Sequence, residues 1–325
     1  MTADLGAVST TDILVTGATG FIGSAVVREL VASGCGPRVR VLVRRPLPDW
    51  PADTGVRAVV GDLTDPASLA GTCTGVTTLV HLAAQVGGDE QLCTAVNEDG
   101  TRALLAEAAR AGTTRLLHLS TCAVYRDGDH RGASESALVT GPASATSRSR
   151  LAAERLVRAA GGVVLRPHLV YGVGDRHVVP ALVRWLRAVP AWAAGGDART
   201  SVVSVTDLAA VLVALIHRPG PAGEVFHVAD PRPVRMRRLV TAVCDLLGEP
   251  VPAADLPLAE HRERTRDALP WLSDHQYSLL TRDHWYESSR IWARTGVSAG
   301  PGLVARLAEA AEYYRETLFG RVGGI

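Results

Sequence analysis

The sequence predicts an α/β protein built on a doubly wound parallel sheet, with a smaller, mainly helical lobe. Three observations carry this expectation. β-rich runs alternate with helical patterns from Ile13 to Leu165, a glycine turn follows the first run, and the alternation weakens after Gly174. Strands that alternate with helices pair in parallel, because a helical crossover returns the chain to the same end of the sheet.

Residues 1–10 are small and polar and read as a loose tail. Ile13-Leu14-Val15 is the first strand. The turn Thr16-Gly17-Ala18-Thr19-Gly20-Phe21-Ile22-Gly23 leads into a helix that reaches Leu30–Ser33, where Gly34-Cys35-Gly36-Pro37 stops it. Val39–Val43 is the second strand, followed by a loop with Pro46, Pro48 and Pro51. Val56–Val60 is the third, and Asp65-Pro66 starts the next helix, since proline fits a first helical position. Thr78–Ala84 is a fourth strand, Asn97–Ala111 a helix and Arg115–Thr121 a fifth strand. Ser149–Ala160 and Val163–Leu165 continue the rhythm.

This alternation assigns the sheet domain to residues 11–175 and 201–231, and the second lobe to residues 176–200 and 232–318. That lobe carries Trp185, Trp192, Trp271, Trp285 and Trp292. Each tryptophan is read first as core, with ligand contact as the alternative.

Composition excludes several classes. With 325 residues, 47% of them hydrophobic, the chain has material for a substantial core. Lys+Arg 34 against Asp+Glu 33 leaves a formal charge of +1, so no broad field drives it onto nucleic acid or anionic membrane. Five cysteines without a C-x-x-C pair suggest neither a disulfide framework nor a zinc site, and point to a reducing compartment. The apolar run Leu208–Ile216 falls far short of the ~20 residues of a membrane span, so a soluble cytoplasmic protein is expected. No lysine occurs anywhere in the chain; every basic side chain is arginine.

Gly17, Gly20 and Gly23 form G-x-x-G-x-x-G between a strand and a helix, with Thr19, Phe21 and Ile22 in the same turn. Gly17 permits the tight turn, Gly20 lets backbone amides approach a pyrophosphate, and Gly23 lets helix and strand pack closely. A dinucleotide site is expected there. An NAD site places a carboxylate after the second strand for the ribose 2′-hydroxyl, but here stand Arg44 and Arg45, cations suited to a 2′-phosphate. NADP(H) is therefore the expected cofactor, the alternative being two solvated surface arginines. Asp62 is placed to accept from the adenine amino group with Leu63 against the ring; its alternative is a capping role.

On these and later landmarks the chain resembles the extended or atypical short-chain dehydrogenases/reductases over nearly its whole length. The matching strings are T-G-A-T-G-F-I-G (16–23), G-D-L-T (61–64), H-L-A-A (81–84), V-N-E-D-G-T (96–101), L-S-T-C-A-V-Y (119–125), R-P-H-L-V-Y-G (166–172), V-S-V-T-D-L-A (203–209) and, before a final helix, G-V-S-A-G-P-G-L (296–303). The resemblance implies a Rossmann-like fold with a discontinuous second lobe that binds substrate. It also implies that Ala83 and Ala84 line the cofactor ribose, that Ser120 and Thr121 lie by the nicotinamide, and that Pro167 and His168 meet its carboxamide end. Gln85 and Tyr171 are candidate substrate contacts, or ordinary structural residues.

The family's acid–base pair is Tyr-x-x-x-Lys. At that place this sequence reads Thr146-Ser147-Arg148-Ser149-Arg150, with threonine for tyrosine and arginine for lysine. Thr121 and Thr146 can orient a carbonyl oxygen, and Arg150 can hold ribose and positive charge, but none is a competent acid near neutrality. The expected chemistry is NADPH-dependent reduction of a ketone or quinone on a polycyclic aromatic polyketide, whose own phenol would supply the proton; the chain resembles tailoring ketoreductases of such antibiotics, which keep the cofactor site. Two alternatives stay open: a catalytically silent NADP(H)-binding regulator, and a nucleotide-sugar epimerase or dehydratase.

Overall fold

The computed structural model describes residues 12–46, 52–218 and 221–320. Its main sheet has seven strands. β1 (Asp12–Thr16), β2 (Val39–Val43), β3 (Arg57–Val60), β4 (Val76–His81) and β5 (Arg115–Leu119) are joined by the strands Val163–Pro167 and Val225–Val228. Across the sheet the order is Val225–Val228, Val163–Pro167, β5, β4, β1, β2, β3. From β5 through β4, β1 and β2 to β3, neighbouring strands pair in parallel.

The chain runs outward from β1 to β3 and then returns to place β4 on the other side of β1. That reversal makes the carboxyl ends of β1 and β4 the crevice where open α/β sheets take ligands. Gly17 and the Leu82–Gln85 segment follow those two ends.

The helices differ in detail from the sequence reading. α1 (Phe21–Ala32) ends before Gly34, which takes φ +75. Asp65 does cap, accepting from Ala67 N at 3.1 Å, but the helix it starts is a short 3-10 turn. The helix expected from Asn97 begins earlier. Asp89 caps α2 (Glu90–Cys93), a π-helical stretch spans Thr94–Asp99, and α3 (Gly100–Arg110) continues it. α4 (Ala145–Ala159) likewise starts ahead of Ser149, which brings Thr146 into its first turn.

The chain packs as two compact units. The first holds residues up to Leu119 together with Ser149–Val164 and Leu215–Glu224; the second holds Ser120–Arg148, Leu165–Ala214 and the chain from Val225 on. This division differs from the domain boundaries read from sequence. Leu169–Tyr171 pairs with Val202–Ser204, and His130–Ala133 pairs with His284–Tyr286, so segments expected in the nucleotide domain find their neighbours in the second unit. The first unit has a core around Leu14, Leu42, Leu69, Leu79 and Leu104. The second has one around Tyr171, Leu182, Trp185, Leu239 and Tyr314.

All five cysteines are free and buried: Cys35, Cys73 and Cys93 in the first unit, Cys122 and Cys244 in the second. No helix among the described residues is long and apolar enough to cross a membrane.

Candidate active site

The glycine turn is packed too closely for side chains. A Cβ on Gly17, which has φ +71, would come within 2.7 Å of Ala83 N, and one on Gly23 within 2.0 Å of Gly17 O. The turn is closed by Gly20 N donating to Gly17 O at 2.9 Å. No side chain caps α1 and no acidic residue stands in its first turn, so its leading amides and dipole are left to an anionic ligand. Thr19 and Gly20 are exposed beside it, and Phe21 and Ile22 are partly buried. This cradle fits a pyrophosphate.

Arg44 and Arg45 follow β2, and both are exposed. Asp62 Oδ1 accepts from Thr64 N at 2.9 Å and Thr64 Oγ1 at 2.8 Å. These bonds, the backbone one foremost, hold its carboxyl below the usual carboxylate range, and the Arg44 charge adds to the effect. Leu63 is 8% exposed and belongs to the core cluster of the first unit, which leaves it little surface for an adenine ring.

After β4, Ala83 N donates to Thr16 Oγ1 at 3.2 Å. Ala83, Ala84 and Gln85 are partly buried. Both backbone polar groups of Gln85 are clamped by the Asn97 side chain: Gln85 N donates to Oδ1 at 2.7 Å, and Nδ2 donates to Gln85 O at 3.0 Å. The Gln85 side chain itself donates to Gly87 O at 3.0 Å, so it folds onto its own loop.

Arg150 lies one helical turn after Thr146. Its Nη2 donates to Leu119 O at 2.9 Å. Burial pushes the guanidinium down to about 10 against an opposing pull from Glu154. That is lower than the value above ~12 expected from sequence, yet it still leaves Arg150 charged at neutrality. In that state it can hold positive charge and donate hydrogen bonds.

Ser120, Thr121, Thr146, Pro167, His168 and Tyr171 belong to the second unit. Ser120 is fully buried and donates its backbone N–H to Leu165 O at 2.7 Å. Thr121 Oγ1 accepts from Ala123 N at 3.1 Å, capping a short 3-10 turn, which leaves its own proton to donate elsewhere. The turn is pinned by Tyr125, whose hydroxyl accepts from Arg166 Nη1 at 2.7 Å and donates to His227 Nε2 at 2.6 Å. Cys122 Sγ donates to Arg166 O at 3.2 Å. Thr146 stands in the first turn of α4, partly buried. Tyr171 is 3% exposed within the second unit's core, a packing residue rather than a free wall.

His168 stacks on His284 with centroids 5.7 Å apart and meets Tyr286 edge-on at 5.5 Å. Burial first, then the neighbouring histidines, pushes it well below the usual histidine range. Sequence reasoning singled out His168 but missed the cluster with His284 and Tyr286 in which it stands. His130 lies opposite His284 in the strand register, a proximity invisible in a linear reading. Among the described residues no group of three or more His, Cys, Asp or Glu side chains is arranged to hold a metal ion. Of the tryptophans, Trp185, Trp192 and Trp292 are buried core, whereas Trp271 is half exposed.

Residues 13–229 match the model of the NAD dependent epimerase/dehydratase family. The chain is 30% identical over 260 residues to the 4-hydroxy-2-methyl-3-oxo-4-farnesyl-3,4-dihydroquinoline-1-oxide ketoreductase of Stigmatella aurantiaca, spanning 76% of this chain and 77% of that one. It is 30% identical over 254 residues to the 2-alkyl-3-oxoalkanoate reductase of Stenotrophomonas maltophilia, spanning 73% and 76%. Among solved structures, DesIV, a dTDP-glucose 4,6-dehydratase from Streptomyces venezuelae with NAD bound, matches with a TM-score of 0.74. That match covers 94% of this chain and 97% of that one at 24% identity, a likeness of fold.

Proposed function

Because the chain belongs to the NAD dependent epimerase/dehydratase family and is an NAD(P)-dependent oxidoreductase of the extended short-chain type, we propose that it is an NADPH-dependent ketoreductase. Its substrate class is a ketone or quinone carbonyl on a polycyclic aromatic polyketide, an angucyclinone-type antibiotic precursor. The observation that carries this reading is α4, which holds Thr146 and Arg150 one turn apart; by the resemblance, those positions are the ones an acid–base tyrosine and lysine would take. Two reductase relatives support a carbonyl substrate, one of them named for a dihydroquinoline bearing an oxo group.

When bound, the reduced cofactor would supply the hydride for a carbonyl carbon. Gly17, Gly20 and Gly23 with the first turn of α1 hold its pyrophosphate, Ala83 and Ala84 its ribose, and Arg44 and Arg45 its 2′-phosphate. Ser120, Pro167 and His168 serve the nicotinamide end. Thr121 and Thr146 can each donate a hydrogen bond to a substrate oxygen, and Arg150 carries a charge of the kind that stabilises a developing alkoxide. Arg150 remains charged near neutrality, and a threonine hydroxyl is too weak an acid, so the proton comes from a phenol beside the carbonyl in the substrate. A nucleotide-sugar reaction fits less well, because it needs a side chain that shuttles protons.

The test follows loss of NADPH absorbance over a panel of hydroxyquinones, with ketones lacking a neighbouring phenol for comparison. Reduction confined to the phenol-bearing compounds is expected. No consumption with any compound overturns the ketoreductase reading, and binding without turnover favours a silent NADP(H)-binding regulator. Arg44→Asp should raise the KM for NADPH by about tenfold or more while leaving NADH nearly unchanged, because it replaces a partner of the 2′-phosphate with a like charge. Equal losses for both cofactors would refute the 2′-phosphate assignment.

A further inference from the structure

His81 ends β4 and is 2% exposed. Its Nδ1 lies 2.7 Å from Thr16 Oγ1 and its Nε2 lies 2.8 Å from Thr101 Oγ1. The neighbours fix which atom donates at each step. Thr16 Oγ1 accepts the amides of Leu82 and Ala83, each at 3.2 Å, so its own proton goes to His81 Nδ1. That nitrogen is therefore bare, and the ring proton sits on Nε2, where it donates to Thr101 Oγ1. Thr101 Oγ1 in turn donates to Asn97 O at 2.5 Å. The Asn97 side chain continues the line. Besides its clamp on Gln85, Nδ2 donates to Ser149 Oγ at 2.9 Å, on the residue next to Arg150.

Reversing any one step would strand a buried donor or acceptor, so the line has a single polarity. A doubly protonated His81 would leave the Thr16 hydroxyl without an acceptor. Burial agrees with this, holding the imidazole down to about 4, with the Arg150 charge adding to the effect. The line begins at the residue before Gly17, and a Cβ on Gly17 would strike the Leu82–Ala83 backbone that Thr16 holds. Through two threonines, His81 thus reaches the glycine turn, both ends of the Leu82–Gln85 segment and the start of the α4 stretch that carries Arg150.

We infer that His81, as its Nε2–H tautomer, and Thr101 are positioning residues for the cofactor: they set the backbone of Leu82–Gln85 against the glycine turn without touching the ligand. The inference rests on the proposal that this segment lines the cofactor.

Thr101→Val keeps the side-chain shape and removes the hydroxyl. It should weaken NADPH binding, read from the fluorescence of the bound nicotinamide, by about fivefold to tenfold, the worth of one buried hydrogen bond, while Thr101→Ser restores it. Should Thr101→Val fold poorly, His81→Asn keeps an acceptor for Thr16 and drops only the Thr101 limb; the same loss is expected. A thermal midpoint that falls in either variant while the NADPH dissociation constant stays within about twofold of the parent makes the line mere scaffold and overturns the inference. A parent protein that binds neither NADPH nor NADH overturns the cofactor reading instead.

Discussion

In the first unit His81 stands in a line of side-chain hydrogen bonds running from Thr16 to Asn97. In the second unit His130, His227 and His284 each place one ring nitrogen on a backbone carbonyl, of Arg126, Glu287 and Arg282 respectively. Those carbonyls fix the tautomers while burial keeps the rings neutral; His130 and His227 pack around Tyr125 and Tyr286, and His284 packs on His130. The first arrangement spans distant segments with few titrating groups; the second concentrates titrating groups in one place. A line transmits position, whereas a cluster couples local packing to protonation.

Acid offers the strongest way to break this comparison. Burial holds His81, His227 and His284 at about 4 in the folded chain, below the ordinary histidine value near 6.5 that the unfolded chain regains. The folded state therefore refuses protons that the unfolded state accepts. Its stability is whole above that ordinary value and falls as the pH drops toward 4, by on the order of 3 kcal/mol for each group. Two of these three histidines, together with His130 and His168, lie in the second unit. Protection of the His284–Tyr286 and His130–Ala133 strands against amide exchange should thus collapse ahead of β1 and β4 on acidification, and the opposite order would refute the contrast.

Tyr125→Phe comes next in size. It removes the hydroxyl shared by Arg166 and His227 and takes a buried partner from each, at about 2–3 kcal/mol in a urea titration. The smallest effect sharpens the contrast from the other side. His118 stacks on His81 at 5.1 Å, and neither of its ring nitrogens has a hydrogen-bond partner among the described residues. His118→Phe keeps a flat ring there and should shift stability by less than about 1 kcal/mol, toward gain. A large loss would mean that His118 has a bonding role of its own.

Much of the first unit was legible because its information is local. The glycine turn, the strand runs and the Asp65 cap each depend on residues only a few positions apart. Asn97 lies in the landmark V-N-E-D-G-T, but the local sequence does not disclose that its amide reaches Gln85 and Ser149. The earlier start of the helix before Asn97 was hidden by its polar, acidic first turn, which reads as loop. In the second unit His130 and His284 meet only through strand pairing across more than half of the described chain, and no periodicity in one sequence encodes that meeting. The register of Thr146 and Arg150 was legible, but the degree to which burial softens the Arg150 charge was not, because desolvation belongs to the packed neighbourhood.

The buried thiols carry a practical consequence. Three lie in one unit and two in the other, and in the first unit burial pushes Cys73 up to about 11, away from the reactive thiolate form. An electrophile added to the native protein has to wait for a door to open, and each alkylated peptide then records which half of the molecule breathed first.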